Sequence, residues 1–232
     1  MRILVLSSGG IDSTTCLGLA VNQYGKDNVA ALSLQYGQKH VKEIRAAEKI
    51  SSFYDIKHIV SDLSSLFTYS NSALLRHSSD DIPKDSYENQ QENSQEKPIP
   101  TYVPFRNGLF LSAAAGIALS LNYDIIYYGA HTDDSAGNVY PDCSKEFTQA
   151  MSTAIYEGSG HLVTVEAPFI RSQKADIVKA GLSLNVPYEL TWSCYEGEEI
   201  PCGVCGTCID RINAFKKNGV NDPLPYKTHR IQ

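Results

Sequence analysis

The stretch Arg2-Ile3-Leu4-Val5-Leu6-Ser7-Ser8-Gly9-Gly10-Ile11-Asp12-Ser13-Thr14-Thr15-Cys16-Leu17 decides the reading of this chain. Ile3 to Leu6 is a continuous apolar run, the pattern of a strand buried on both faces. Thr14 to Leu17 opens a helix. The polar turn between them aims several backbone N–H groups, with the positive end of a helix dipole, at one small volume. Gly9 and Gly10 lack a Cβ, so the backbone there can take positive φ and approach a ligand closely. Ser8 and Ser13 add hydroxyl donors. Asp12 suits either the helix cap or a Mg²⁺ held against phosphates. The turn reads as a cradle for phosphate.

A Walker loop needs a Lys after its second Gly, and none follows Gly10. The G-x-G-x-x-G spacing of a dinucleotide fingerprint is also absent. Ser8-Gly9-Gly10-Ile11-Asp12-Ser13 resembles the S-G-G-x-D-S signature of the PP-loop ATP pyrophosphatases. That resemblance implies a loop gripping the pyrophosphate end of ATP while the α-phosphate is attacked, leaving an adenylated substrate. The candidate nucleotide-binding residues are Ser7, Ser8, Gly9, Gly10, Ile11, Asp12, Ser13, Thr14, Thr15, Cys16 and Leu17.

At 232 residues the chain can form one large α/β domain with an appendage. Apolar residues make up 42%, ordinary for a globular protein. No run of about 18 apolar residues marks a membrane span. The N-terminus enters a strand at once, without a basic leader, which predicts a cytoplasmic protein. A net charge of −6 argues against a wide basic face for nucleic acid.

Val29 to Gln35 reads as a second strand and Ile56 to Val60 as a third. Gln38 to Tyr54 carries Val41, Ile44, Ala47 and Ile50 at helix spacing. Arg106 to Leu121 is an apolar helix, followed by a strand over Asp124 to Ala130, a helix over Asp142 to Tyr156 and a strand over Leu162 to Glu166. Ser172 would cap a helix from Gln173 to Leu184. Alternation of this kind predicts a doubly wound, mainly parallel sheet with right-handed crossovers. His77 to Pro100 holds six acidic residues, two Lys and almost no large apolar side chains. It reads as a mobile surface loop, either a lid or a solvated insertion. Residues 1–190 are expected to form the nucleotide-binding domain and 191–232 a C-terminal segment packed on it.

Of six Cys, four crowd between 194 and 208. Cys194, Cys202, Cys205 and Cys208 have the spacing C-x7-C-x2-C-x2-C, and Gly203 and Gly206 supply turn positions. Four thiolates close a tetrahedral Zn²⁺ shell with no open position, so a metal here is structural. A sulfur-carrying role, an iron–sulfur cluster and simple packing are the alternatives. Cys16 reads as core, and Cys143 lies in a candidate pocket loop.

The PP-loop, Tyr36-Gly37-Gln38-Lys39-His40, Val103-Pro104-Phe105-Arg106-Asn107, Gly129-Ala130-His131, Tyr140-Pro141-Asp142-Cys143, Thr191-Trp192-Ser193-Cys194-Tyr195 and Pro201-Cys202-Gly203 occur in the order seen in the 7-cyano-7-deazaguanine synthases. The chain resembles that family along nearly its whole length. It departs at Phe105, where the family usually has Gly, and at His131-Thr132-Asp133-Asp134, where Asn-Ala-x-Asp is more common. The resemblance implies an adenine nucleotide alpha hydrolase-like, Rossmann-like fold. It also implies ATP-dependent conversion of 7-carboxy-7-deazaguanine and ammonia to the nitrile, in queuosine biosynthesis. A carboxylate is a poor electrophile; adenylation makes AMP the leaving group, and a second activation dehydrates the amide.

On that resemblance, Ser8 to Ser13 hold pyrophosphate and Asp12 helps to place Mg²⁺. Lys174 is either a charge on the phosphates or a solvated helix-start residue. Arg106 contacts phosphate or the substrate carboxylate. Asn107 caps the following helix. Tyr140, Asp142 and the Asp133-Asp134 pair lie in the loop after the fourth strand, where a ring can stack on the deazapurine and a carboxylate such as Asp142 or Asp134 can read its N–H edge; the acidic pair is otherwise a solvated turn. His40 and Glu43 lie on one helical turn near the mouth, where His40 either handles ammonium or product protons or is a surface helix residue, and Trp192 is either a core anchor or a pocket wall. A homodimer is expected from the family, and ammonia comes free or from a partner, since no glutaminase domain fits in the chain. The rival readings are a PP-loop enzyme that thiolates tRNA, which would want a basic groove, and a zinc-bearing regulator that binds ATP without chemistry.

Overall fold

The computed structural model describes residues 1–39, 41–85, 89–90, 99–135, 140–196 and 199–227, the side chains of 134 and 135 excepted. Strands β1 (Ile3–Leu6), β2 (Val29–Gln35), β3 (Lys57–Asp62), β4 (Ile125–Tyr127) and β5 (Thr164–Glu166) form a parallel sheet in the order β3-β2-β1-β4-β5. Ile3 pairs with Val29 on one side and Ile125 on the other. The strand order therefore reverses between β1 and β4, where an open α/β sheet leaves a crevice.

The longer helices are α1 (Ile11–Tyr24), α2 (Lys42–Phe53), α3 (Arg106–Leu121), α4 (Lys145–Gly158), α5 (Lys174–Ser183) and α6 (Gly206–Lys217). Alternation along the strands divides the core between two layers. Ile3, Val5, Val29 and Ala31 pack with Leu17, Ala20, Ile50, Ile177 and Phe215 from α1, α2, α5 and α6. Leu4, Ala30 and Leu32 pack with Leu111, Ala114, Ala118 and Ile155 from α3 and α4. Ile3, Leu4 and Val5 of the central strand are fully buried because helices cover both faces, which explains its unbroken apolar run; Leu6 ends it at the cavity. Among the described residues no helix is long and apolar enough to cross a membrane.

Several boundaries differ from the sequence reading, each for a local reason. Helix α2 starts at Lys42, because Gln38 bridges to Leu75 and its Oε1 accepts from the Tyr36 N–H. Helix α4 starts at Lys145, capped by Ser144, whose Oγ accepts from the Phe147 N–H at 3.1 Å. Helix α5 is capped by Gln173 and not by Ser172; Gln173 N–H donates to Asp176 in a capping box. Helix α6 was not foreseen. It brings Ala214 and Phe215 from the 191–232 stretch into the main core. Residues 86–88 and 91–98 of the expected mobile loop lie outside the described residues; at its end Ile99 is buried in the core.

Candidate active site

A cavity of about 220 Å³ opens where β1 and β4 diverge. Ser7, Ser8, Gly10, Ile11, Asp12 and Ser13 line one end with Lys174. Tyr36, Glu43, Arg106, Phe110, Tyr140, Trp192 and Tyr195 line the rest.

At the phosphate end only Gly9 takes positive φ, at 81°. A Cβ there would lie 2.8 Å from Ala47 N and collide with the Glu43 carbonyl, so its bareness serves packing on α2. Gly10 is extended, with φ −83°, and is itself the N-cap of α1. Asp12 sits in the first turn, not at the cap. Its Oδ2 is 3.5 Å from Lys174 Nζ and 3.7 Å from His131 Nε2. Burial works against the charge on Asp12, but Lys174 and His131 hold its carboxyl well below the usual carboxylate range. The ammonium group of Lys174 is thus drawn into the cavity with its side chain 11% exposed, which sets aside a solvated helix-start role. Asp133 Oδ2 accepts the Lys174 N–H at 2.8 Å and so anchors the start of α5.

Thr14, Thr15, Cys16 and Leu17 are not brought to the cavity. Thr14 Oγ1 donates to Gly10 O and Thr15 Oγ1 to Ile11 O, while Cys16 and Leu17 are core residues. Past its first turn α1 rises away from the cavity, and these four consecutive positions, spread around the helix, are buried among the elements packed on it.

At the other end Arg106 opens α3. Its Nη1 donates to Tyr36 OH at 3.4 Å, and its guanidinium lies 5.2 Å from the Tyr36 ring centre. Burial opposes its charge, but Tyr36, Tyr195 and Asp142 more than offset that and push its pKa up. Tyr140 OH meets Thr101 Oγ1 at 2.9 Å and Tyr195 OH at 3.5 Å. Asp142 was expected to read the substrate, yet it does not line the cavity. Its Oδ2 accepts the Asn107 N–H at 2.8 Å, supplying the capping group that Phe105, at the N-cap of α3, lacks. Asn107 Nδ2 in turn donates to Asp142 O and to Cys143 Sγ, so Asn107 is not itself the cap. The side chain of Asp134 and the whole of His40 lie outside the described residues.

Glu43 lines the cavity from the first turn of α2. Burial pushes its carboxyl up to about 7, with Arg106 opposing. Trp192 is an anchor that also lines the cavity: its N–H donates to Gly9 O at 2.8 Å, its Nε1 to Cys194 O, and Lys42 Nζ lies 4.7 Å from its ring centre. Sequence reasoning quoted the segments holding Tyr36, His131, Ser193 and Tyr195 but gave these residues no role. No spacing along the chain links them; only the fold does.

The four cysteine sulfurs of Cys194, Cys202, Cys205 and Cys208 lie within 4.8 Å of one another. Thiols this close cannot all ionise unaided. Cys205 and Cys208 donate to Cys194, which is held low, and are themselves pushed up. A cation would let all four carry charge, so the donor set fits a metal ion. Next to the cluster Arg211, 1% exposed, forks onto Asp222 at 2.6 and 2.9 Å.

The family model described as "Queuosine biosynthesis protein QueC" matches residues 2–219. A protein of Archaeoglobus fulgidus named 7-cyano-7-deazaguanine synthase is 44% identical over 225 residues, covering 97% of this chain and 90% of its own. A protein of Caldicellulosiruptor saccharolyticus with the same name is 44% identical over 227 residues, covering 98% of this chain and 96% of its own. Among solved structures, the U34-tRNA thiolase NcsA of Methanococcus maripaludis, with its [4Fe-4S] cluster, superposes with a TM-score of 0.54 at 14% identity. That match covers 94% of this chain and 66% of the thiolase. At such low identity the likeness is one of fold.

Proposed function

The chain belongs to the QueC family of queuosine biosynthesis proteins, and from that premise we propose that it is an ATP-dependent carbon–nitrogen ligase. It converts 7-carboxy-7-deazaguanine and ammonia into 7-cyano-7-deazaguanine. The observation that carries the reading is the meeting, in one cavity, of the phosphate turn with Lys174 and a ring-lined wall bearing Arg106. A nucleotide tail and a planar acid can face each other there. Family membership does not favour the rival tRNA-thiolating reading.

The N-terminus of α1, with Ser8, Gly10 and Ser13, holds the pyrophosphate, and Lys174 neutralises it. Asp12, kept charged beside Lys174, is the residue that would help to hold Mg²⁺. Arg106 binds the substrate carboxylate with its planar fork, and Tyr140 supplies a ring for the deazapurine. Asp134 is the proposed carboxylate for its N–H edge. The carboxylate oxygen attacks the α-phosphorus, pyrophosphate leaves and ammonia displaces AMP; the amide oxygen then attacks a second ATP, pyrophosphate leaves again, and the oxygen departs on AMP as nitrogen loses its protons to give the nitrile. The four cysteines hold Zn²⁺, which would clamp the C-terminal loop as a structural centre. The reading includes a cytoplasmic homodimer acting on small molecules and not on nucleic acid.

Incubating the purified protein with the acid, ammonium and magnesium ATP should yield the cyano compound by mass spectrometry, with pyrophosphate released. Pyrophosphate release driven only by tRNA would overturn the assignment. Elemental analysis should give stoichiometric zinc; iron, or no metal, would remove that part.

A further inference from the structure

Amination needs a group that can take a proton, because ammonia arrives near neutral pH mainly as ammonium, which has no lone pair to offer. Each titratable side chain of the cavity can be weighed for that task. Lys174 and Arg106 are cations. Asp12 is held low by Lys174 and His131 and has little proton affinity. Burial pushes the Tyr36 and Tyr128 phenols up, so both keep their protons, and the Tyr140 hydroxyl is engaged with Thr101 Oγ1 and Tyr195 OH. Asn107 Nδ2 occupies the Cys143 sulfur. Glu43 remains, and among the described residues no hydrogen bond or ion pair engages its carboxylate.

Its placement suits the task. The backbone of Glu43 packs on Gly9 of the phosphate turn. Glu43 lines the cavity shared with Arg106 and Tyr36, and the Arg106 charge opposes the effect of burial on its carboxyl. The groups facing it are therefore Arg106 from α3 and Tyr36 from the end of β2. Glu43 thus lines the same cavity as the turn assigned to the nucleotide tail and the residue assigned to the substrate acid.

We propose that Glu43 receives ammonium and takes its proton, releasing ammonia beside the activated carboxyl carbon. This role rests on the ligase reading above. One N–H bond of ammonium breaks as the proton passes to Glu43, leaving a lone pair on nitrogen. That pair forms the C–N bond at the acyl carbon, and the C–O bond to AMP breaks with AMP taking its electrons. The surplus proton of the adduct nitrogen goes to solvent. A carboxyl titrating near neutrality is matched to this transfer.

The test separates the half-reactions in the full-length protein. Glu43→Gln should retain ATP–pyrophosphate exchange that depends on the deazaguanine carboxylate. It should lose about 100-fold in ammonium-dependent product formation. Hydroxylamine, a neutral nucleophile at pH 7, should form the hydroxamate with a much smaller loss. The acidic limb in the pH profile of kcat/KM for total ammonium, which breaks near neutrality in the parent, should shift upward to the range where free ammonium itself loses its proton. Equal losses with both nucleophiles, or none with either, would overturn the role. If Glu43→Gln fails to fold, Glu43→Asp serves instead: a loss confined to ammonium supports the role, and a uniform loss overturns it. A parent protein with no carboxylate-dependent exchange overturns the ligase reading itself, and this role falls with it.

Discussion

The two ends of the cavity are built on opposite plans. The phosphate end is one turn of chain, residues 7–13, whose shape comes from backbone: Gly9 at positive φ, Gly10 extended at the cap, and α1 rising behind them. Its strongest charges arrive already paired, Asp12 with Lys174 and His131. The wall is assembled from five separate segments carrying Tyr36, Glu43, Arg106, Tyr140 and Tyr195. Phosphate has the same shape in every nucleotide, so a rigid turn of N–H donors suffices for it. A heterocyclic acid needs particular side chains at particular angles, and no single turn can supply them. The first end should therefore fail through backbone geometry, and the second through loss of the clamps that hold its pieces together.

Arg211 is such a clamp, and removing it should have the largest effect. Its guanidinium forks onto Asp222, and Nη1 donates to Thr191 Oγ1 at 2.6 Å, at the head of the segment that carries Trp192 and Tyr195. Arg211→Met leaves the Asp222 carboxylate buried without its cation, and should cost about 3–5 kcal/mol in denaturant unfolding. Replacing Asp222 by Leu as well should recover part of that. A loss under about 1 kcal/mol would mean that the wall is not held there.

Gly9→Ala attacks the other end. The added methyl meets α2 backbone and the residue keeps an unfavourable φ, so a loss of about 3 kcal/mol is expected. Calorimetry should find ATP binding abolished. Gly10→Ala is the control: its Cβ makes only ordinary contacts, the nearest at 3.4 Å, and φ is −83°. It should cost less than about 1 kcal/mol. Equal effects from the two would break the claim that backbone shape governs this end.

The same contrast decides what could be read before folding. Sheet, layers and phosphate turn were legible because their signals are local: an apolar run, a Gly-Gly turn and helical spacing in consecutive residues. The four cysteines were legible because metal ligands with two-residue gaps need no tertiary information. Motifs singled out Arg106, Tyr140 and Asp142 alike; the fold sets the first two on the cavity and Asp142 at the start of α3. A carboxylate beside a candidate pocket looks the same in sequence whether it faces the cavity or caps α3. Helix α6 escaped because its core residues, Ala214 and Phe215, make sense only against α5. Thr14 to Leu17 were over-read because the signature is contiguous while the helix rotates away from the ligand.

Lys174→Met tests whether the charges at the phosphate end act as a pair. The folded-state pKa of Asp12 is depressed. Its contribution to stability is therefore present above the ordinary carboxylate range and lost as pH falls through the folded value. Without Lys174 the folded value rises, so acid unfolding should begin at higher pH. Carboxylate-dependent pyrophosphate release should fall by roughly 100-fold, about 2.7 kcal/mol of transition-state stabilisation. An unchanged acid limb alongside lost activity would show that Lys174 serves the nucleotide without supporting Asp12.

The smallest expected effect is the most informative about where the two plans meet. Phe105, the N-cap of α3, sits at φ 54° and ψ 27°, a left-handed conformation that costs a side-chain-bearing residue about 1–2 kcal/mol. Its ring offsets part of this by an edge-on contact with Phe147 at 5.7 Å between centres. The Gly that the family resemblance leads one to expect at this position would have a physical reason: Gly takes that φ freely. Phe105→Gly trades strain for the ring contact and should change stability by less than about 1 kcal/mol. Phe105→Val keeps the strain, loses the contact and adds a branch at Cβ, so it should cost about 1–2 kcal/mol. If Val is instead as stable as Phe, the corner before Arg106 is not set by backbone conformation. The wall would then be a matter of side-chain clamps throughout, with no share in the rule that governs Gly9.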